Sequence, residues 1–146
     1  MKKPLLVLLA ACALPVVLTG QTPAALNAPA APQPTLAAGA VAPDFVTLDI
    51  AGKEVRLADF KGKILVLDFW ATWCGPCVAD LPLVKATHQK FSKAGFVVFA
   101  VSLDDDEAKF EKAIDTRKMD YLHHFDGKKW KNELAVKFDV HSIPAS

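Results

Sequence analysis

Hydrophobic and polar positions divide the chain into three regimes. Leu5 to Leu18 is almost wholly apolar, residues 21–42 show no periodicity, and from residue 43 apolar positions recur at strand and helix spacing. In the third regime, Phe45, Thr47 and Asp49 alternate with Val46, Leu48 and Ile50. Ala51-Gly52-Lys53 supplies a turn and Glu54 to Leu57 returns, so Asp44 to Leu57 reads as a β-hairpin. Ala58 to Lys63 has loop chemistry. Ile64 to Phe69 is apolar except for Asp68, the pattern of a strand buried on both faces. A helix is expected from Pro76 to Ala94, with Leu81, Val84, His88 and Phe91 on one face, Pro82 as an internal kink and Gly95 as the C-terminal cap. Phe96 to Leu103 repeats the buried-strand pattern, and Ala108, Phe110, Ala113 and Ile114 form a second helical stripe. Tyr121 to Phe125 reads as a short extended segment. Trp130, Leu134 and Phe138 have helical spacing over Lys128 to Lys137 and are expected in the core. Alternating strands and helices predict an α/β class with a mostly parallel sheet and helices on its faces.

The first regime is an export signal or an uncleaved membrane anchor over residues 1–20. Met1-Lys2-Lys3 is its charged start, and the apolar run of 14 residues is short for a membrane span. Leu9-Ala10-Ala11-Cys12 resembles a bacterial lipobox, which would make Cys12 a lipidated residue; Cys12 as a small apolar member of the run is the other reading. Residues 21–42, rich in Ala and Pro and without charge, read as a linker that cannot bury a core. The remaining 43–146 are of domain size. Without Lys2 and Lys3 the chain carries 15 basic and 16 acidic residues, and no basic patch argues for nucleic acid. Only two of the three cysteines lie in the domain, too few for a disulfide framework. Asp104-Asp105-Asp106 could be read as a metal loop, but acids are favoured at a helix N-terminus and the calcium-loop pattern is missing.

Cys74-Gly75-Pro76-Cys77 opens the first long helix directly after a buried strand. A thiol at a helix N-terminus meets unpaired N–H groups and the positive end of the dipole, so the Cys74 thiolate is stabilised and its pKa depressed. Two intervening residues bring the second sulfur within bridging reach. Cys77, deeper in the helix, is the resolving thiol. Gly75 leaves room for a substrate chain, and Trp70 and Trp73 flank the site with apolar surface or pack the core. Zinc sites also use Cys-x-x-Cys, but no second pair is present, and His88, His123, His124 and His141 lack ligand spacing with it. Asp68, a carboxyl in an apolar strand, is expected to have a raised pKa and to accept the Cys77 proton. Asp80, on the same helix face as Cys77, is either functional or an exposed first-turn acid.

Val66-Leu67-Asp68-Phe69-Trp70-Ala71-Thr72-Trp73-Cys74-Gly75-Pro76-Cys77 resembles the active-site signature of the thioredoxin superfamily. With Ala42-Pro43-Asp44-Phe45, the hairpin and Phe60-Lys61-Gly62-Lys63, it is similar to the TlpA/ResA-like exported thiol–disulfide oxidoreductases. That resemblance covers about residues 40–146. It implies a thioredoxin-like fold: an N-terminal hairpin and a mixed sheet flanked by helices. It implies redox-active Cys74 and Cys77, support from Trp73, Gly75 and Pro76, and no cofactor or metal. Ile143-Pro144 matches the family's cis-proline dipeptide. Asp68 matches the buried acid of thioredoxins, where the exported group more often has Asn, and Asp80 matches an acid that is commonly Glu. The implied partners are protein disulfides or dithiols, including apocytochromes in cytochrome c maturation, and a membrane or periplasmic reductant donor. The implied location is the periplasm or the outer face of the membrane, with a tether through the N-terminus.

The family's last two strands and final helix have no counterpart after Pro144. Residues 43–146 are therefore expected to be a C-terminally truncated, marginally stable domain with an unpaired apolar edge at Ile64 to Phe69. Three other readings stand beside the first. Pro43-Asp44-Phe45 also resembles peroxiredoxins, antioxidant enzymes that want Thr at the position held by Ala71, with Thr72 one place off. A metal chaperone would use Cys74, Cys77 and His141. An inactive truncated product would do neither.

Overall fold

The computed structural model describes residues 37–146. The expected leader, most of the linker and Cys12 lie outside the described residues. The hairpin is formed by β1 (Val46–Leu48) and β2 (Glu54–Arg56), antiparallel with Thr47 opposite Val55. Asp49 closes its turn: one carboxylate oxygen accepts from Ala51 N and Lys53 N, each at 2.9 Å. Gly52 takes the positive φ of 75° that the turn requires. Phe45, Thr47 and Val55 face inward.

The main sheet has the order β3-β4-β5, with β3 (Ile64–Trp70), β4 (Phe96–Ser102) and β5 (Leu122–Phe125) all parallel. Helices α1 (Gly75–Phe91) and α2 (Glu107–Arg117) make the two crossovers. Asp106 caps α2 by accepting from Lys109 N at 3.0 Å. On one face of the sheet Phe99 meets Phe45 and Phe60, and Phe69 meets Phe138. On the other, Trp70, His123 and Phe125 gather around Phe110 of α2, whose ring stacks on Phe125 at 4.9 Å. Alternation along the strands thus divides the core into a hairpin side and a helix side.

Three expectations need correction. The helix expected to reach Ala94 is α-helical only to Phe91; a 3-10 turn, Ser92–Ala94, completes it before Gly95 (φ 88°). The single helix expected over Lys128 to Lys137 is two pieces, a 3-10 turn Lys129–Lys131 and α3 (Glu133–Lys137). Asn132 divides them. It is fully buried, and its side-chain oxygen accepts from Leu134 N and Ala135 N at 3.0 and 3.1 Å, so it starts a new helix instead of continuing the old one. Leu134 remains in the core, but Trp130 is turned out to the surface. Finally, the outer edge of β3 is not wholly unpaired. Phe69 N donates to Ala145 O at 2.8 Å in an antiparallel bridge, which makes the sheet mixed. Below that bridge Leu65, Val66 and Leu67 line an open trough with Phe138 and Val140.

Candidate active site

The chain leaves the sheet at the end of β3 and enters α1 through residues 71–74. This turn is clamped from the adjoining strand. Both oxygens of the Asp104 carboxylate accept from Thr72 N (3.1 and 3.0 Å), and one also accepts from the Thr72 hydroxyl at 2.6 Å. The Ser102 hydroxyl donates to the same group at 2.8 Å. Leu103 N donates to Trp70 O, and Cys74 N to Ala71 O. Asp104 is buried, so of the three consecutive acids only Asp106 serves as the helix cap and Asp104 is a brace for the cysteine turn. Parallel register explains it. Trp70 lies opposite Ser102, so residues following the two strands necessarily meet.

Cys74 is the N-cap of α1, and its sulfur accepts from Cys77 N at 3.2 Å. Pro76 sits in the first turn, where no N–H is needed. The two cysteines form a disulfide with Cα atoms 5.3 Å apart. Cys74 is 6% exposed and Cys77 3%, so in the disulfide form the expected difference in access is small. A Cβ at Gly75 would meet no atom of the chain within 4 Å, so the space above it is open.

Asp68 is 9% exposed and paired in register with Ala100. It shares a cleft of about 340 Å³ with Cys77, Asp80, Val84, Pro144 and Ala145. Burial raises its pKa from 3.8 to about 6, and the Asp80 charge adds to the rise. The Ile143–Pro144 peptide bond is cis. The structure therefore gathers Asp68, Cys77, Asp80 and Pro144 around one space, and Cys74, Gly75 and Pro76 lead into Cys77 at the start of α1.

Other residues fall elsewhere. Trp70 does not flank the site; it is buried against Phe110, and Trp73 alone of the two is exposed. Thr72, the residue one place off the peroxiredoxin pattern, is committed to Asp104. His141 pairs with Asp139 at 2.8 Å, His123 bonds to Met119 O, and the His124 Nδ1–H donates to Leu48 O. Among the described residues no group of three or more His, Cys, Asp or Glu could hold a metal ion. Sequence reasoning missed Asp104 and Trp130. The parallel pairing of the two strand ends could have found Asp104; no local signal marks Trp130, whose ring lies 6.2 Å from that of Trp73.

A family model described as AhpC/TSA matches residues 38–144. The chain belongs to the AhpC/TSA family. Within it, the chain is similar to proteins named thiol-disulfide oxidoreductase ResA. It is 39% identical to that of Geobacillus thermodenitrificans over 77 residues, 53% of this chain and 44% of the relative. It is 39% identical to that of Bacillus anthracis over 67 residues, 46% of this chain and 39% of the relative. The chain thus spans less than half the length of these relatives. Among solved structures, the thioredoxin domain of a thiol-disulfide oxidoreductase from Bacteroides vulgatus has a TM-score of 0.66 at 32% identity, covering 75% of this chain and 78% of that one. A putative thiol:disulfide interchange protein DsbE from Chlorobium tepidum has a TM-score of 0.60 at 33% identity, covering 70% of each chain. The fold of this AhpC/TSA member is thioredoxin-like, as the resemblance implied.

Proposed function

We propose that the chain is an extracytoplasmic thiol–disulfide oxidoreductase that reduces protein disulfides through Cys74 and Cys77. The observation that carries this reading is the disulfide at the N-terminus of α1 with an acid of raised pKa, Asp68, in the same cleft as Cys77. In the reduced form the Cys74 thiolate attacks one sulfur of a substrate disulfide. The other substrate sulfur leaves as a thiolate and takes up a proton. Asp68 then accepts the Cys77 proton, and the Cys77 thiolate attacks Cys74 in the mixed disulfide. The second substrate thiol is released, protonated, and the Cys74–Cys77 disulfide forms. Two electrons and two protons pass to the substrate, and a dithiol reductant must restore the pair. Pro144, exposed beside Cys77, presents backbone to the incoming chain.

The relatives' names and the leader together support protein disulfides outside the cytoplasm as substrates, with apocytochromes in cytochrome c maturation as the class the resemblance favours. Residues 1–20 would direct export, residues 21–42 would tether the domain, and Cys12 would carry the lipid if the lipobox is used. Among the described residues no helix is long and apolar enough to cross a membrane.

Trapping tests the roles. Cys77→Ser should accumulate a mixed disulfide between Cys74 and substrate, visible as a shifted band that reductant removes. Cys74→Ser should accumulate none. Trapping by Cys74→Ser alone would reverse the assignment, and trapping by neither would remove the redox reading.

A further inference from the structure

A cavity of about 350 Å³ opens where the hairpin, the end of β5 and the first turns of α2 come together. No residue of the cysteine turn or of the cleft beside Cys77 lines it. Its acidic side chains are Asp49, Glu107, Glu111, Asp126 and Glu133, and no lysine or arginine lines it. Asp49 closes the hairpin turn, and Asp126 has Lys128 Nζ at 3.9 Å. Glu107, Glu111 and Glu133 take part in none of the salt bridges among the described residues. Like charges around one space repel unless a cation comes between them.

His124 shows what else is missing. It lines the cavity and is 3% exposed. Its Nδ1–H donates to Leu48 O at 2.8 Å and lies 3.2 Å from the Thr47 hydroxyl, which in turn donates to Glu133. In the tautomer that this bond selects, Nε2 is an acceptor, and it is buried without a donor. Asp126 repeats the pattern: one oxygen accepts from Lys128 N, and the other is buried without a hydrogen bond. Buried acceptors are normally satisfied, so these call for N–H groups from outside the chain. The remaining wall is apolar, with Leu48 and Ile50 half exposed beside Phe110 and Phe125.

We propose that this cavity binds an organic cation, a guanidinium or primary ammonium group carried on an aliphatic stem. The stem covers Leu48 and Ile50, as the stems of basic side chains cover apolar surface, and the head brings charge and N–H donors to the carboxylates and His124. A bare metal ion does not suit it, because among the described residues no three acids or histidines converge closely enough to hold one. The same head and stem occur in a free amine and in a basic residue of a polypeptide. The site lies apart from the cysteines, and the inference does not depend on the redox reading.

The test is an NMR titration of the full chain with agmatine, a guanidinium on a four-carbon stem, and with blocked Ala-Arg-Ala and Ala-Gln-Ala peptides. Agmatine or the arginine peptide should bind one to one with a Kd of about 1 mM, moving the amide signals of Leu48, Glu111, His124 and Glu133 together. The tighter of the two identifies the source, a free amine or a basic residue. The glutamine peptide should bind about tenfold more weakly, or less. Glu111 and Glu133 are both exposed, so a Glu111→Gln, Glu133→Gln chain keeps its packing and should bind the better ligand about tenfold more weakly. No saturable shift with either cation at about 50 mM overturns the site. So does binding unchanged in the double variant, or a glutamine peptide that binds as well as the better cation.

Discussion

Two buried carboxylates serve the cysteine turn, and they are set in opposite ways. Asp104, just past β4, accepts from Thr72 N, the Thr72 hydroxyl and the Ser102 hydroxyl. Asp68, in the middle of β3, faces a cleft; burial and the Asp80 charge raise its pKa and no hydrogen bond offsets them. A buried acid supplied with donors is held in place by them and is a structural part. A buried acid without them is left poised to exchange a proton near neutral pH. The difference separates a brace of the cysteine turn from the acid proposed as its proton acceptor.

Removing the brace should have the largest effect. Asp104→Ala strips three donors of their acceptor in a buried place, and a buried polar group left unsatisfied costs about 1–3 kcal/mol. A loss of about 4 kcal/mol is expected, read as a lower urea midpoint at unchanged m-value. A change under about 1 kcal/mol would show that Asp104 is not the clamp its geometry indicates.

Asp68→Asn should act with the opposite sign. Folding raises the Asp68 pKa from 3.8 to about 6, so the folded chain holds this proton more tightly than the unfolded chain does. The stabilising effect of the neutral form is complete below 3.8 and is lost as pH rises through about 6. Above that the buried charge costs on the order of 3 kcal/mol, since roughly two pKa units at about 1.4 kcal/mol each are involved. The asparagine chain should therefore be the more stable at pH 7 to 8, with the gap closing below about pH 4. Function should move the other way. Resolution of the mixed disulfide in the wild type should speed up as pH rises through about 6. It should slow about 100-fold at neutral pH in Asp68→Asn, with that inflection gone. Equal stabilities at pH 8, or an inflection that survives the substitution, would count against Asp68 as the reagent.

The contrast also marks where sequence reading succeeds. The apolar runs from Ile64 and Phe96, the Asp49–Gly52 turn and the Pro76 helix start are local patterns, and each formed close to where periodicity placed it. Asp68 stood out for the same reason: a charge within an apolar strand is visible without knowing its neighbours. Asp104 was not visible, because its task depends on Trp70 and Ser102 lying side by side in the sheet. Trp130 was misplaced because helical spacing across Lys128 to Lys137 hides the break that buried Asn132 makes by capping α3. The near-equal burial of Cys74 and Cys77 likewise depends on the bridged pair, and helix position alone does not give it.

Asp80 offers the finest test of what makes Asp68 reactive. Asp80 is exposed on α1, and its charge is the second cause of the Asp68 shift, behind burial. Asp80→Asn removes that repulsion and leaves the burial, so the Asp68 pKa should fall below about 6 yet remain above its ordinary 3.8. The inflection in mixed-disulfide resolution should move to lower pH by less than burial has moved it up. Stability at pH 8 should rise by less than in Asp68→Asn, because the buried charge stays and loses only its neighbour. A drop all the way to 3.8 would mean that Asp80, and not the apolar strand, sets the proton affinity of Asp68. An inflection that does not move would mean that solvent screens the exposed carboxylate completely, leaving Asp80 as a surface acid in the second turn of α1, not in the first turn where the sequence reading put it.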